Sequence, residues 1–171
     1  MKRILLVAVT LLLAASLAQA QNSTTDTVIL SVVVSAEAAI VVTGAATTDL
    51  ASITGIFGNY VGNTSLTYWI RTAPGVATGD ITMQLTAFSP IGGPVVADDL
   101  TYMCSSAASG SPCSGPLAAS STGPTPVVTF AEDAHSTIAG DAAGVAWTLI
   151  NDPAYPVTTY TSTVTFTISA T

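Results

Sequence analysis

Residues 160–170 read Tyr160-Thr161-Ser162-Thr163-Val164-Thr165-Phe166-Thr167-Ile168-Ser169-Ala170. Tyr160, Val164, Phe166 and Ile168 share one parity, and Thr161, Thr163, Thr165 and Thr167 share the other. Side chains alternate across an extended strand, so this stretch has one apolar face and one comb of hydroxyls. A strand of that kind is half-buried and needs a sheet beside it and a second layer beneath it.

Working back along the chain, several other stretches carry the same period. Leu100, Tyr102 and Cys104 alternate, as do Val145, Trp147 and Leu149, and Val127–Phe130 reads as a short strand. Asp80–Phe88 places Ile81, Met83, Leu85 and Ala87 opposite Thr82, Gln84 and Thr86. Leu66–Arg71 ends at Ala73-Pro74-Gly75, a turn in which Pro presets φ. Val28–Thr43 is rich in β-branched residues and predicts one long strand or two joined near Glu37. Residues 44–63 read as loop, with one short strand expected over Ile53–Phe57. Strands separated by Gly/Pro turn signals, with no amphipathic helix and no internal repeat, predict an all-β fold: a single two-sheet antiparallel β-sandwich.

The N-terminus has a different composition. Lys2 and Arg3 precede the apolar run Ile4–Leu13, which closes on Ala18-Gln19-Ala20. This is the layout of a secretory signal peptide, so residues 1–20 are expected to be cleaved, 21–27 to form a flexible N-terminus and 28–171 to form the sandwich. The apolar run is short for the roughly 20 residues of a spanning helix, so no membrane insertion is expected after cleavage. The predicted location is secreted, extracellular or cell-surface, with the periplasm as a further compartment.

Beyond residue 20 the chain has all ten acidic residues and one basic residue, Arg71, a net charge of −9. No basic patch can form to neutralise phosphates, which excludes nucleic acid and anionic lipid as partners. The same 151 residues hold 26 Thr and 16 Ser. Hydroxyls therefore supply most of the polar surface, and Thr suits a pleated sheet.

Few side chains offer chemistry. Cys104 and Cys113 are the only cysteines, and in a secreted chain they predict a disulfide closing a loop of small residues. Cys-x-x-Cys spacing, which marks redox pairs, is absent. His135 follows Glu132-Asp133 but has no second imidazole and no Gly-x-Ser-x-Gly nucleophile, so it reads as part of a polar loop. Asp98-Asp99 and Glu132-Asp133 are acidic pairs without the spacing of a calcium loop. Neither a cofactor nor a metal is expected, and an enzyme is the weakest reading. Trp69 and Arg71 share a parity and form a candidate binding surface, with the guanidinium pairing an acid or meeting a ligand. Trp69, Trp147, Tyr60, Tyr102 and Tyr155 are candidates for a carbohydrate platform, although Trp147 alternates with core positions.

Without lysine, the usual guard of exposed strand edges is also missing, so loops must cover those edges or another chain must pair with them. Val28-Ile29-Leu30-Ser31-Val32-Val33-Val34, together with the closing strand of Tyr160, Ser162, Val164, Phe166 and Ile168, resembles secreted pilin-like subunits of the chaperone–usher and spore-coat U type. That resemblance implies an immunoglobulin-like sandwich completed by a strand donated from a neighbour. The sequence thus predicts a secreted or cell-surface structural subunit that assembles through its strand edges with itself or with other cell-surface proteins. The alternative is an extracellular module that binds a glycan or a protein.

Overall fold

The computed structural model describes residues 28–171 apart from 46, 54, 76, 77 and 106. The expected signal peptide and flexible N-terminus lie outside the described residues. The strands, in chain order, are β1 (Glu37–Thr43), β2 (Ala51–Ser52), β3 (Tyr60–Arg71), β4 (Gly79–Leu85), β5 (Leu100–Ser105), β6 (Ser111–Pro112), β7 (Leu117–Ala118), β8 (Thr125–Phe130), β9 (Asp141–Leu149) and β10 (Val164–Ala170), with one short helix, α1 (Val96–Asp99), before β5. They form two antiparallel sheets packed as a sandwich. The six-stranded sheet runs β1-β3-β9-β5-β7, with β2 also paired to β3, and the four-stranded sheet runs β10-β4-β8-β6. No described helix is long and apolar enough to cross a membrane.

Alternation decides which residues meet between the sheets. On β3, Leu66, Tyr68 and Ile70 are buried while Thr67, Trp69 and Arg71 face outward. On β9, Ala143, Val145, Trp147 and Leu149 are buried, and β4 contributes Ile81, Met83 and Leu85. Each large aliphatic or aromatic side chain removed from water in this way stabilises the fold by about 1.5–3 kcal/mol. Two contacts lock the layers together. The rings of Tyr68 on β3 and Phe130 on β8 lie 5.2 Å apart, tilted by 52°, and Tyr102 Oη on β5 donates to Pro126 O on β8 at 2.8 Å. The buried phenol thus keeps a polar partner, as such groups require.

Three expectations about strand extent are corrected. Residues 28–36 form no strand, and β1 comprises only the second part of the expected Val28–Thr43 element. The reason is the length of its partner: Glu37 pairs with Arg71, the last residue of β3, which leaves the residues before it no strand to pair with. The short strand lies at Ala51–Ser52 rather than Ile53–Phe57, and β3 begins at Tyr60, inside the stretch read as loop. Its polar residues Asn63, Thr64 and Ser65 are held in the sheet by β9 on one side, so backbone pairing overrides composition there.

The closing strand β10 pairs with β4 alone, in register from Val164↔Leu85 to Ala170↔Gly79. Its seat depends on Gly79, where a Cβ would come within 2.6 Å of Ser169 O. Tyr160, expected to open the closing strand, lies outside β10, and its neighbour Thr161 makes an isolated bridge to Ser89.

Candidate functional site

β10 is an edge strand of the four-stranded sheet, and β1 is an edge of the six-stranded sheet. The direction of their backbone groups follows from the observed bonds. Thr86 N donates to Thr163 O at 2.9 Å and Thr171 N to Thr78 O at 3.2 Å, so the hydroxyl-bearing parity of β10 bonds to β4. Backbone direction alternates along an antiparallel strand. Val164, Phe166, Ile168 and Ala170 therefore turn their N–H and C=O groups to the free edge. Their half-buried side chains pack against the core.

The same argument applies to β1. Ser136 N donates to Ile70 O and Thr72 N donates to Ala134 O, on the side of β3 away from β1. Ser65, Thr67, Trp69 and Arg71 are thus the residues of β3 that bond β1, through Thr43, Val41, Ala39 and Glu37. This leaves the backbone groups of Ala38, Ile40 and Val42 at the free edge, with Ile40 packed against the core. β1 and β10 approach within 8 Å between Cα atoms, and no strand pairing joins them. The seam between these neighbouring edges, the β1/β10 slot, is bordered by two rows of open backbone donors and acceptors, with Ile40, Val164, Phe166 and Ile168 packed against the core beside it. A strand bonded to both edges needs about 9.5 Å, two inter-strand spacings, so the edges must part slightly to admit one.

At one end of this slot stands Arg71. Its terminal guanidinium nitrogen lies 2.8 Å from Glu37 Oε2, with the two side chains 35% and 74% exposed. Its Nε donates to Ser35 O at 2.9 Å. Trp69, two residues away on the same face, donates through Nε1 to Ile138 O at 3.2 Å. The predicted pairing of Arg71 with an acid is therefore present, and the polar groups of both Trp69 and Arg71 have partners within the chain. The aromatic candidates do not converge. Tyr102 and Trp147 are buried in the core with ring centroids 6.1 Å apart. Tyr60 and Trp69 lie nine residues apart along β3, roughly 30 Å in an extended strand. Tyr155 sits in the loop before β10, where burial and the neighbouring carboxylates of Asp99 and Asp152 push its hydroxyl well above the usual tyrosine value.

Cys104 and Cys113 are joined, with Cα atoms 5.2 Å apart. Cys104 belongs to β5 in one sheet, and Cys113 follows β6 and donates its N–H to Val127 O in the other. The sequence suggested a local clamp, but the pair ties the two sheets together. The loop between them is anchored by Ser109, whose Oγ donates to Asp141 Oδ2 and whose N–H donates to Tyr68 Oη at 3.3 Å. Thr137 N also donates to Asp141 Oδ1 at 3.1 Å. Burial pushes Asp141 up, but the bonds from Ser109 and Thr137 outweigh it and hold the carboxyl below the usual aspartate value. This network ties two loops to the six-stranded sheet, and nothing in the sequence signals it, because Asp141 opens β9 with no flanking pattern of its own.

His135 Nε2 lies 3.6 Å from Asp133 Oδ1, both on the surface. Asp99 accepts from Val95 N at 2.6 Å and so spans the single turn of α1. Among the described residues, no three His, Cys, Asp or Glu side chains converge on a point where a metal ion could be held. Compared with known proteins, the chain matches no family model, no curated protein and no solved structure. The functional reading therefore rests on the slot.

Proposed function

We propose that this chain is a secreted or cell-surface structural subunit, and that its β1/β10 slot accepts a strand from a second copy. One observation carries the reading. Neighbouring edges present the open backbone groups of Ala38, Ile40 and Val42 on one side and of Val164, Phe166, Ile168 and Ala170 on the other, with Ile40 and the four β10 side chains packed against the core. Edges without lysine are templates for pairing unless something covers them. The occupant that fits is Val28–Val34, where Val28, Leu30, Val32 and Val34 alternate, are exposed and lie in no strand of their own. Main-chain bonds to an incoming strand supply affinity, and apolar side chains at every second position supply register. The disulfide and the N-terminal signal pattern support an oxidising, extracytoplasmic setting.

The test is assembly of the mature chain. Size-exclusion chromatography with light scattering should show multimers that grow with concentration. Removing residues 21–34 should leave a monomer that binds a synthetic peptide of residues 28–34. A full-length mature chain that remains monomeric at millimolar concentration, together with a truncated chain that ignores the peptide, overturns the reading.

A further inference from the structure

Strand exchange raises a question of its own: why should Val28–Val34 not fill the slot of its own domain? The parities allow it. If the chain reversed just before β1 and laid Val34 beside Ala38, then Val32 would fall beside Ile40 and Leu30 beside Val42, each apolar residue on the inner face. Only Ala38, Ile40 and Val42 have backbone groups at the free edge, because Glu37 and Ala39 bond to β3. Such a reversal would turn Ser35-Ala36-Glu37 into a three-residue loop. Hairpin loops of that length place their last residue in the left-handed region, where glycine is favoured. Here that residue is Glu37, paired in β1 and held at 2.8 Å by Arg71. The first loop residue, Ser35, is held as well, through its carbonyl to Arg71 Nε at 2.9 Å.

We infer that Arg71 is a latch against self-insertion: by holding Ser35 and Glu37 in line with β1, its guanidinium denies the chain the reversal that would fill its own slot and commits Val28–Val34 to a second copy. This rests on the strand-exchange reading above and adds the choice between self and neighbour. The planar fork suits the task, since one side of the guanidinium meets a carboxylate while Nε meets a carbonyl. It also gives a specific use to the one cation that the chain carries after residue 20.

The experiment uses the mature chain with Leu30→Cys and Val42→Cys, a pair that cross-links within one chain if the segment self-inserts. Oxidation is followed by non-reducing gel and intact mass. With Arg71 present, links should run between chains. In Arg71→Ala the ratio of intrachain to interchain links should rise by about tenfold or more, the change expected when a charge-assisted hydrogen bond is lost. Glu37→Gly, which keeps Arg71 but frees the loop, should shift the ratio the same way and decides the matter if Arg71→Ala does not fold. An unchanged ratio in a folded variant overturns the latch. So does a majority of intrachain links in the chain that keeps Arg71, although the slot reading then survives. Failure of all three proteins to form either link sinks strand occupancy of the slot itself.

Discussion

Cys104 and Cys113 stand 5.2 Å apart at Cα on opposite sheets, so one covalent bond closes the side of the sandwich away from the β1/β10 slot. In the chain-entropy model a loop of this length contributes roughly 2.5–3 kcal/mol. The Cys104→Ala/Cys113→Ala chain should therefore melt about 5–10 °C lower. Calorimetry of the oxidised, reduced and double-alanine proteins checks this, and equal melting in all three would remove the bond from the account of stability.

The Asp141 network predicts acid sensitivity of a definite sign. Its folded carboxyl binds protons less readily than an ordinary aspartate, so the unfolded chain takes up the proton first as pH falls. The contribution is complete above the usual value near 3.9 and is lost as pH drops through the depressed folded value. Asp141→Asn should flatten the acid limb of the stability curve and lower stability at pH 7 by about 1–3 kcal/mol. Urea melts at a series of pH values distinguish this from a variant that is weakened equally at every pH.

Hydrogen exchange tests the free edge residue by residue. In the monomer the amides of Val164, Phe166, Ile168 and Ala170 should exchange quickly, while those of Thr165, Thr167 and Ser169, which face β4, should be protected. Assembly should slow the first set and leave the second unchanged. Equal protection of both sets in a truncated monomer would show that the edge is already covered.

Gly79→Ala probes how β10 is seated. A Cβ there meets the Ser169 carbonyl at 2.6 Å, and a backbone atom cannot rotate out of the way. The substitution should cost about 1–3 kcal/mol, as overpacking does, despite the usual gain from removing a flexible glycine. Denaturant melts of the truncated monomer measure it, and a neutral or stabilising result would mean that β10 can shift.

Much of the architecture is legible in the chain. The alternation of Ile81, Met83 and Leu85, of Tyr102 with Leu100, and of Val145, Trp147 and Leu149 marks their burial, because parity on a strand is a local property of neighbouring side chains. Trp69 and Arg71 are correctly placed on the outer face of β3 for the same reason. Residues 60–65 are not legible as strand in the sequence, because Asn63, Thr64 and Ser65 are in the sheet through pairing with β9, a partner some eighty residues away. Val28–Val34 has equally good local grounds for a strand, but β3 ends at Arg71 and offers it no partner.

The sequence by itself determined the fold class, the pairing of its two cysteines, and the two faces of Tyr160–Ala170. Only the tertiary structure decided that β10 lies at an edge, that this edge lies beside β1, that Cys104 and Cys113 join different sheets, and that Arg71 holds Ser35 as well as Glu37. Period and composition are set within a few residues, whereas sheet order and open edges depend on contacts between strands far apart in the chain. The comb of hydroxyls is thus a surface feature, and the free backbone on the apolar parity is what makes the last strand a candidate joint.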